Sequence, residues 1–123
     1  MSVVGAILRT EQAAIGVAGL VAYLALGGSW LLLVPLLLVF DVSAIGYLAG
    51  ARIGSVTYNA AHNLVVALIA LLIGWLAGLA WLQMLAALWI AHVGVDRALG
   101  YGLKLPTDFR DTHLGRIGRS PSG

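Results

Sequence analysis

The stretch Trp89-Ile-Ala-His-Val-Gly-Val-Asp-Arg-Ala-Leu-Gly-Tyr-Gly-Leu-Lys104 decides how the chain is read. It starts as an apolar helix, carries His92 and Asp96 four residues apart on one face, and leaves through a basic, glycine-rich exit. In hydrocarbon, both ionisable groups would lie where such groups are costly and usually functional. Composition makes hydrocarbon the expected solvent. Of 123 residues, 61% are hydrophobic and only 10% are charged, against roughly 25% charged in a typical soluble domain.

Working outward, the apolar residues gather in four runs, at about 8–27, 30–50, 55–76 and 79–99. Each approaches the roughly 20 residues that cross a bilayer core as helix. Gly27-Gly28-Ser29, the Gly50–Gly54 stretch with Arg52, and Ala77-Gly78 are short turns, so neighbouring helices should be antiparallel. Pro35 is tolerable inside a membrane helix. The expected fold is all-α: one integral membrane domain over residues 1–123, a four-transmembrane-helix up-down bundle with a short tail over 100–123. The tail's Gly-Arg-Ser-Pro-Ser-Gly end reads as mobile. A secretory signal is the rival reading of the first run. Glu11 and the lack of an Ala-x-Ala site argue against it.

Arg9, Arg52, Arg97, Lys104, Arg110, Arg116 and Arg119 all fall on the side of the N-terminus, the second turn and the tail. The first and third turns are uncharged, and Trp30, Trp75 and Trp81 fall at that opposite interface. The expectation is a multi-pass protein of the cell inner membrane with both termini cytoplasmic. The absence of cysteine removes disulfides, zinc-thiolate sites and thiol nucleophiles. Seven Lys+Arg against five Asp+Glu, without aromatic-basic interleaving, gives no nucleic-acid footprint.

This topology assigns depths. Asp41 lies nine residues before Gly50, His62 eight after Gly54 and His92 seven before Leu99. At 1.5 Å per residue they sit roughly 13, 12 and 10 Å below the cytoplasmic ends of three helices. Tyr58 and Asn59 share the His62 face, and Tyr47 and Asp96 lie nearer the cytoplasm. The far half holds almost nothing polar besides Gln83. A mid-membrane charge costs roughly 2.5–3.5 kcal/mol, a cost that convergence, pairing or ion binding reduces. Blander readings stand beside this one. Asp96 and Arg97 also suit a helix end at the headgroups, and His62 an interhelical hydrogen bond. Gly46, Gly50 and Gly54 recur at the spacing of close helix packing. In the tail, Asp108, Asp111 and His113 are either a solvated charge run or a loop folded back over the pocket, with Gly100-Tyr-Gly102 as the bend.

Asp41, Gly46-Tyr-Leu-Ala-Gly50, Tyr58-Asn59-x-x-His62-Asn63, Ala91-His92-x-Gly94-x-Asp96-Arg97, Gly100-Tyr-Gly-Leu-Lys104 and Asp111-Thr-His-Leu-Gly115 together resemble a bacterial family of small membrane proteins, domain of unknown function family 4260 (DUF4260). The resemblance runs from about Leu8 to Ile117 and implies a four-helix membrane protein, with no activity attached.

Function is therefore read from the residues. The leading expectation is a metal-dependent membrane hydrolase acting on a lipid or amphiphile that enters from the cytoplasmic leaflet. His62, His92 and Asp96, with Asp41 or Asp111 as alternative carboxylates, suit zinc or a similar divalent ion. Asp41, Asp96, Asp111 and His113 are the candidate acids and bases, and Tyr58, Asn59, Arg97 and Lys104 the surround that binds a cofactor. No HExxH-type motif is present. The alternatives are a proton-coupled or oligomeric transporter and a non-catalytic module that binds a partner or a cofactor, including haem held by His62 and His92. A serine nucleophile is disfavoured, since Ser43 and Ser55 lack an elbow setting. The expected partners are the bilayer, anionic headgroups at Lys104 and Arg110, and further copies of the chain.

Overall fold

A computed structural model describes residues 2–118; Met1 and residues 119–123, hence Arg119 and the end of the tail, lie outside the described residues. Among the described residues the fold is all-α, with five α-helices: α1 (Val3–Ala25), α2 (Leu33–Leu38), α3 (Ala51–Ala61), α4 (Leu64–Leu76) and α5 (Ala80–Leu99). The polar stretch that decided the reading lies on the central helix. α5 packs against α1 on one side and α4 on the other, and buries Ala86, Ala87, Leu88, Ala91, His92, Val93 and Gly94. α1 approaches it backbone to backbone. A Cβ on Gly19 would come within 2.6 Å of the Ala87 carbonyl oxygen, and one on Gly94 within 2.5 Å of the Gly16 nitrogen. Small residues are what such a membrane helix crossing needs. The two helices are antiparallel: Arg9 donates through Nε to the Ala98 carbonyl at 2.7 Å near one end, and Tyr23 packs on Leu88 nearer the other.

The surface is inverted relative to a soluble protein. Leu48 is 88% exposed, Leu76 76% and Trp75 73%, among many apolar side chains facing outward. Water would drive such patches together, whereas lipid would cover them. Val3–Ala25 and Trp30–Ala49 are long and apolar enough to cross a membrane, and α3 with α4 makes a third span if the bent pair is counted as one. α5, which carries Gln83, His92, Asp96 and Arg97, is not among them, so among the described residues two or three helical segments could span where four spans were expected.

Two of the expected helices are not continuous. The second run is a short 3-10 turn (Trp30–Leu32), then α2, then an eleven-residue 3-10 segment, Val39–Ala49. In a 3-10 helix residues three apart eclipse. Phe40, Ser43 and Gly46 therefore form one row, and Asp41, Ala44 and Tyr47 another. The first row meets α3, where Thr57 Oγ1 donates to the Ser43 carbonyl at 2.7 Å. A Cβ on Gly46 would collide with Thr57, and one on Gly54 with the Tyr47 ring. Gly50, read above as part of the same packing motif, is instead the turn, at φ 112° with open space around it.

The third run, expected as one helix over 55–76, starts at Ala51 and breaks at His62-Asn63 with a 40° bend. The tail is not a loose loop. Asp111–Thr112 (β1) pairs antiparallel with Gly115–Arg116 (β2), and Lys104 bridges to Thr112.

Candidate metal centre

Three helical segments deliver four ionisable groups to one point. Asp41 comes from the 3-10 segment, His62 from the C-terminal cap of α3, and His92 and Asp96 from successive turns of α5. One donor atom from each residue lies within 4.8 Å of all the others. His62 Nε2 is 3.1 Å from Asp41 Oδ1, 3.1 Å from His92 Nε2 and 3.8 Å from Asp96 Oδ2. His92 Nε2 is 3.2 Å from Asp41 Oδ1 and 3.3 Å from Asp96 Oδ2. An ion with tetrahedral bonds of about 2.0–2.1 Å keeps its donors about 3.3–3.4 Å apart, so these separations are of coordination size.

The ring orientations are fixed from behind. His62 Nδ1 lies 2.8 Å from the Tyr58 carbonyl oxygen, and His92 Nδ1 2.6 Å from that of Leu37. A carbonyl accepts, so each Nδ1 carries a proton and donates it. In its neutral form each ring turns a bare Nε2 lone pair toward the other and toward two carboxylates. That arrangement is repulsive until a cation, a proton or a metal ion, stands among the four. Two neutral imidazoles and two carboxylates around a divalent ion sum to zero charge. A backbone carbonyl behind each histidine is also the usual support of a metal-ligating ring. The Tyr58 ring stacks on His62 at 3.7 Å, and Phe40 lies against both His92 and Trp89, so the rings have little freedom to turn.

The break that presents His62 is itself closed by side chains. A helix end leaves carbonyls without amide partners, and hydrocarbon offers no water to satisfy them. Here five consecutive carbonyls are taken. His62 Nδ1 takes Tyr58, Asn63 Nδ2 takes Asn59 and Ala60, Trp89 Nε1 takes Ala61, and Arg97 Nη2 takes His62 itself. Asn63 also starts α4, its Oδ1 accepting from the Val66 amide at 2.9 Å.

A cavity of about 310 Å³ opens beside the cluster, lined by Asp41, Asp96, Tyr58, Tyr101, Lys104 and Phe109. Asp41 is the most open of the four, its side chain 49% exposed against 4% for His62. Lys104 is 4% exposed, with Nζ 3.8 Å from the Phe109 ring centre and 4.8 Å from that of Tyr58. Burial pushes its ammonium below the usual lysine range, and Asp96 and Asp41 oppose that shift. Asn59 holds the lysine's backbone in a two-point clamp, accepting from its amide at 2.6 Å and donating to its carbonyl at 2.8 Å.

Of the expected site residues, Asp41, His62, His92 and Asp96 converge, while Tyr58, Asn59, Arg97 and Lys104 surround them. The tail does fold back, but without bringing Asp111 or His113 into the cluster. Asp111 is held by Thr107 and Arg116, whose hydrogen bonds, the Thr107 one first, keep its carboxyl below the ordinary range. His113 Nδ1 accepts from the Leu103 amide at 2.8 Å. Burial lowers the affinity of His113 for a proton, and the Arg97 charge lowers it further. A haem between His62 and His92 is excluded by space, since Nε2 atoms 3.1 Å apart leave no room for a porphyrin. Ser43 Oγ donates to the Phe40 carbonyl at 2.7 Å and stands 3.5 Å from His62 Nδ1, the nitrogen already committed to Tyr58. Sequence reasoning missed Trp89, Phe40 and Phe109. The signal for Trp89 was a tryptophan ten residues inside α5, away from the interface where membrane tryptophans collect.

A family model described as "Domain of unknown function (DUF4260)" matches residues 5–117. No curated protein and no solved structure matches the chain.

Proposed function

The chain belongs to the DUF4260 family, and from its site we propose that it is a divalent-metal-dependent hydrolase of the membrane, acting on an ester-bearing lipid or amphiphile. The observation that carries this reading is the pair of buried Nε2 atoms 3.1 Å apart, each ring held from behind by a carbonyl, with two carboxylates beside them.

In this reading His62, His92 and Asp96 hold the metal, zinc being the ion their nitrogen-oxygen set suits best. Three protein ligands would leave room for water, and a bound metal would supply the acidity that lets that water lose a proton near neutral pH. Asp41, more open than the others and 3.1–3.2 Å from both Nε2 atoms, is the base that takes this proton. The water oxygen would add to the ester's electrophilic centre, the ester bond would break, and the alcohol would leave with the proton held by Asp41. Lys104, on the cavity wall, supplies positive charge for the oxygen that gains electron density. The cavity lies beside helices with apolar outer faces, which favours a substrate delivered by lipid. In the same reading the protein is multi-pass in the inner membrane, with the basic tail in the cytoplasm. A transport path is not favoured, because Gln83, the polar side chain of the far half, is spent on the Gly74 carbonyl at 3.1 Å.

The test uses the full chain purified in a mild detergent. Elemental analysis should find about one zinc-class ion per chain, and a chelator should abolish hydrolysis of a long-chain fluorogenic ester. Asp41→Asn should keep the ion and lose turnover. An ion-free protein, or one that keeps its ion in both His62→Ala and His92→Ala, would end this reading.

A further inference from the structure

Lys104 is a buried cation with no acid of its own. The residue is 4% exposed, and Nζ rests on two ring faces, those of Phe109 and Tyr58. Ring faces attract an ammonium but are poor acceptors for its three N–H donors. Among the described residues no carboxylate lies within ion-pair distance of it. The lysine is also set in place. Asn59 clamps its backbone, Lys104 bridges to Thr112, and the next amide, that of Leu105, donates to the Asp111 carbonyl at 2.8 Å. Phe109 is backed in turn by the Tyr47 ring, edge-on at 5.2 Å.

The charges that answer this ammonium are Asp96 and Asp41, at longer range on the wall of the same cavity. They are also the carboxylates that a divalent ion in the cluster would take up. With such an ion held, the four clustered groups carry no net charge, and Lys104 is left as a buried cation without a counter-charge. That is costly, so the loaded site favours an anion in the cavity. Tyr58 and Tyr101 line the same cavity, and among the described residues neither hydroxyl has a hydrogen-bond partner. A carboxylate brings two oxygens and one charge. A terminal phosphoryl group brings three strong acceptor oxygens and roughly two negative charges near neutral pH, so it answers the ammonium and both hydroxyls together.

We propose, resting on the metal reading above, that this cavity binds the terminal phosphoryl group of a phosphate monoester, with Lys104 as its counter-charge and Tyr58 and Tyr101 as donors. The ester cleaved is then a phosphate ester. A bond would form from the water oxygen to phosphorus, and the bond from phosphorus to the alcohol oxygen would break. The alcohol would leave with the proton held by Asp41, and the other water proton would stay on the phosphate released. A phosphorylated lipid and a soluble phosphate ester share this group. The surroundings favour the lipid. Asp41 and Ala44 line the cavity from one row of the 3-10 segment, and the next row, Val42, Ile45 and Leu48, turns exposed apolar side chains outward, a bed for an acyl chain.

The test titrates inorganic phosphate into the full chain, purified in a mild detergent and loaded with zinc, and follows binding by calorimetry. The loaded protein should bind phosphate at least about tenfold more tightly than it binds acetate, and at least about tenfold more tightly than the ion-free protein does. Lys104→Met should weaken phosphate binding by roughly tenfold or more, the scale of one charge-assisted contact, with the zinc content unchanged. Tyr101→Phe removes only a hydroxyl from a ring that is 44% exposed. It should weaken binding severalfold, and it covers the case in which the lysine variant fails to fold. Zinc uptake without phosphate binding, equal binding of acetate, or phosphate binding unchanged in both variants would overturn the proposal and leave the metal reading standing. A protein that takes up no zinc would end the metal reading, and the proposal with it. Phosphatidic acid should displace phosphate at a far lower concentration than glycerol 3-phosphate does. Displacement by both at the same concentration would assign the phosphoryl group to a soluble ester instead.

Discussion

The chain contains two constellations of aspartate, histidine and a nearby cation, and they are built to opposite ends. In the helical cluster both histidines spend Nδ1 as a donor to a carbonyl, so Nε2 is left as a lone pair facing its neighbours. In the tail hairpin His113 spends Nδ1 as an acceptor, and the carboxylates of Asp108 and Asp111 are answered by Arg116. The residue types are the same. What separates a place for a metal from a neutralised loop is the partner behind each ring and whether a counter-cation already lies among the acids.

The largest test of that contrast is metal retention. Removing a direct ligand, as in His92→Ala, should lower the affinity for zinc by more than the roughly 10–100-fold that supporting residues contribute, whereas His113→Ala should leave the ion in place. Elemental analysis of the two variants after gel filtration decides it, and equal loss from both would erase the distinction.

The next effect is on stability. Trp89→Phe keeps a ring against Phe40 but leaves the Ala61 carbonyl without its donor, so it should cost about 1–3 kcal/mol. Asn63→Ala removes the cap of α4 and two carbonyl contacts, and should cost at least the roughly 0.5–2 kcal/mol of a lost N-cap. Thermal unfolding in detergent measures both. Asp111→Asn, on the open hairpin, should leave the unfolding temperature of the helices unchanged.

A finer probe is Lys104→Met, which keeps the packing on Phe109 and removes the charge. It should reduce ester turnover by roughly tenfold while the ion stays bound. A parallel loss of metal would make Lys104 part of the scaffold instead.

The smallest effect is a pH response confined to the hairpin. His113 binds a proton less readily in the fold than its ordinary value of 6.5. Between its lowered folded pKa and 6.5, the unfolded chain holds more protons, so stability rises with pH. The contribution is complete above 6.5 and fades as pH falls through the folded value. Amide exchange at Leu103, whose N–H the ring accepts, should quicken on acidification before that of the helices changes. No change at Leu103 would remove the sign argument.

Sequence alone reached the all-α class, the bounds of the last helix and the convergence of Asp41, His62 and His92, because apolar run length and turn position govern all three. It did not reach the break at His62-Asn63. The apolar pattern is unbroken from Leu64 onward, and the bend depends on Trp89 and Arg97 arriving from another helix. Nor did it reach the 3-10 winding of Val39–Ala49, which follows from the fit of Gly46 against Thr57. The Gly16–Gly19–Gly94 seam was present in the letters, but on two runs far apart in the chain. Asp111 and His113 were drawn toward the pocket by residue type, and Arg116 five residues on was the signal that Asp111 was already matched.

The closed break has a consequence for biogenesis. Two of the five carbonyls at the kink are satisfied only by α5, which follows α3 and α4 in the chain. Until it docks, those two carbonyls lack their partners, and in lipid a straight helix would be the lower-energy form of the α3–α4 segment. The bend and the two halves of the site would then come into being together, when α5 docks. A nascent chain halted before residue 80 should hold this segment unkinked, and distance measurements between spin labels on α3 and α4, compared with the finished protein, would reveal whether it does.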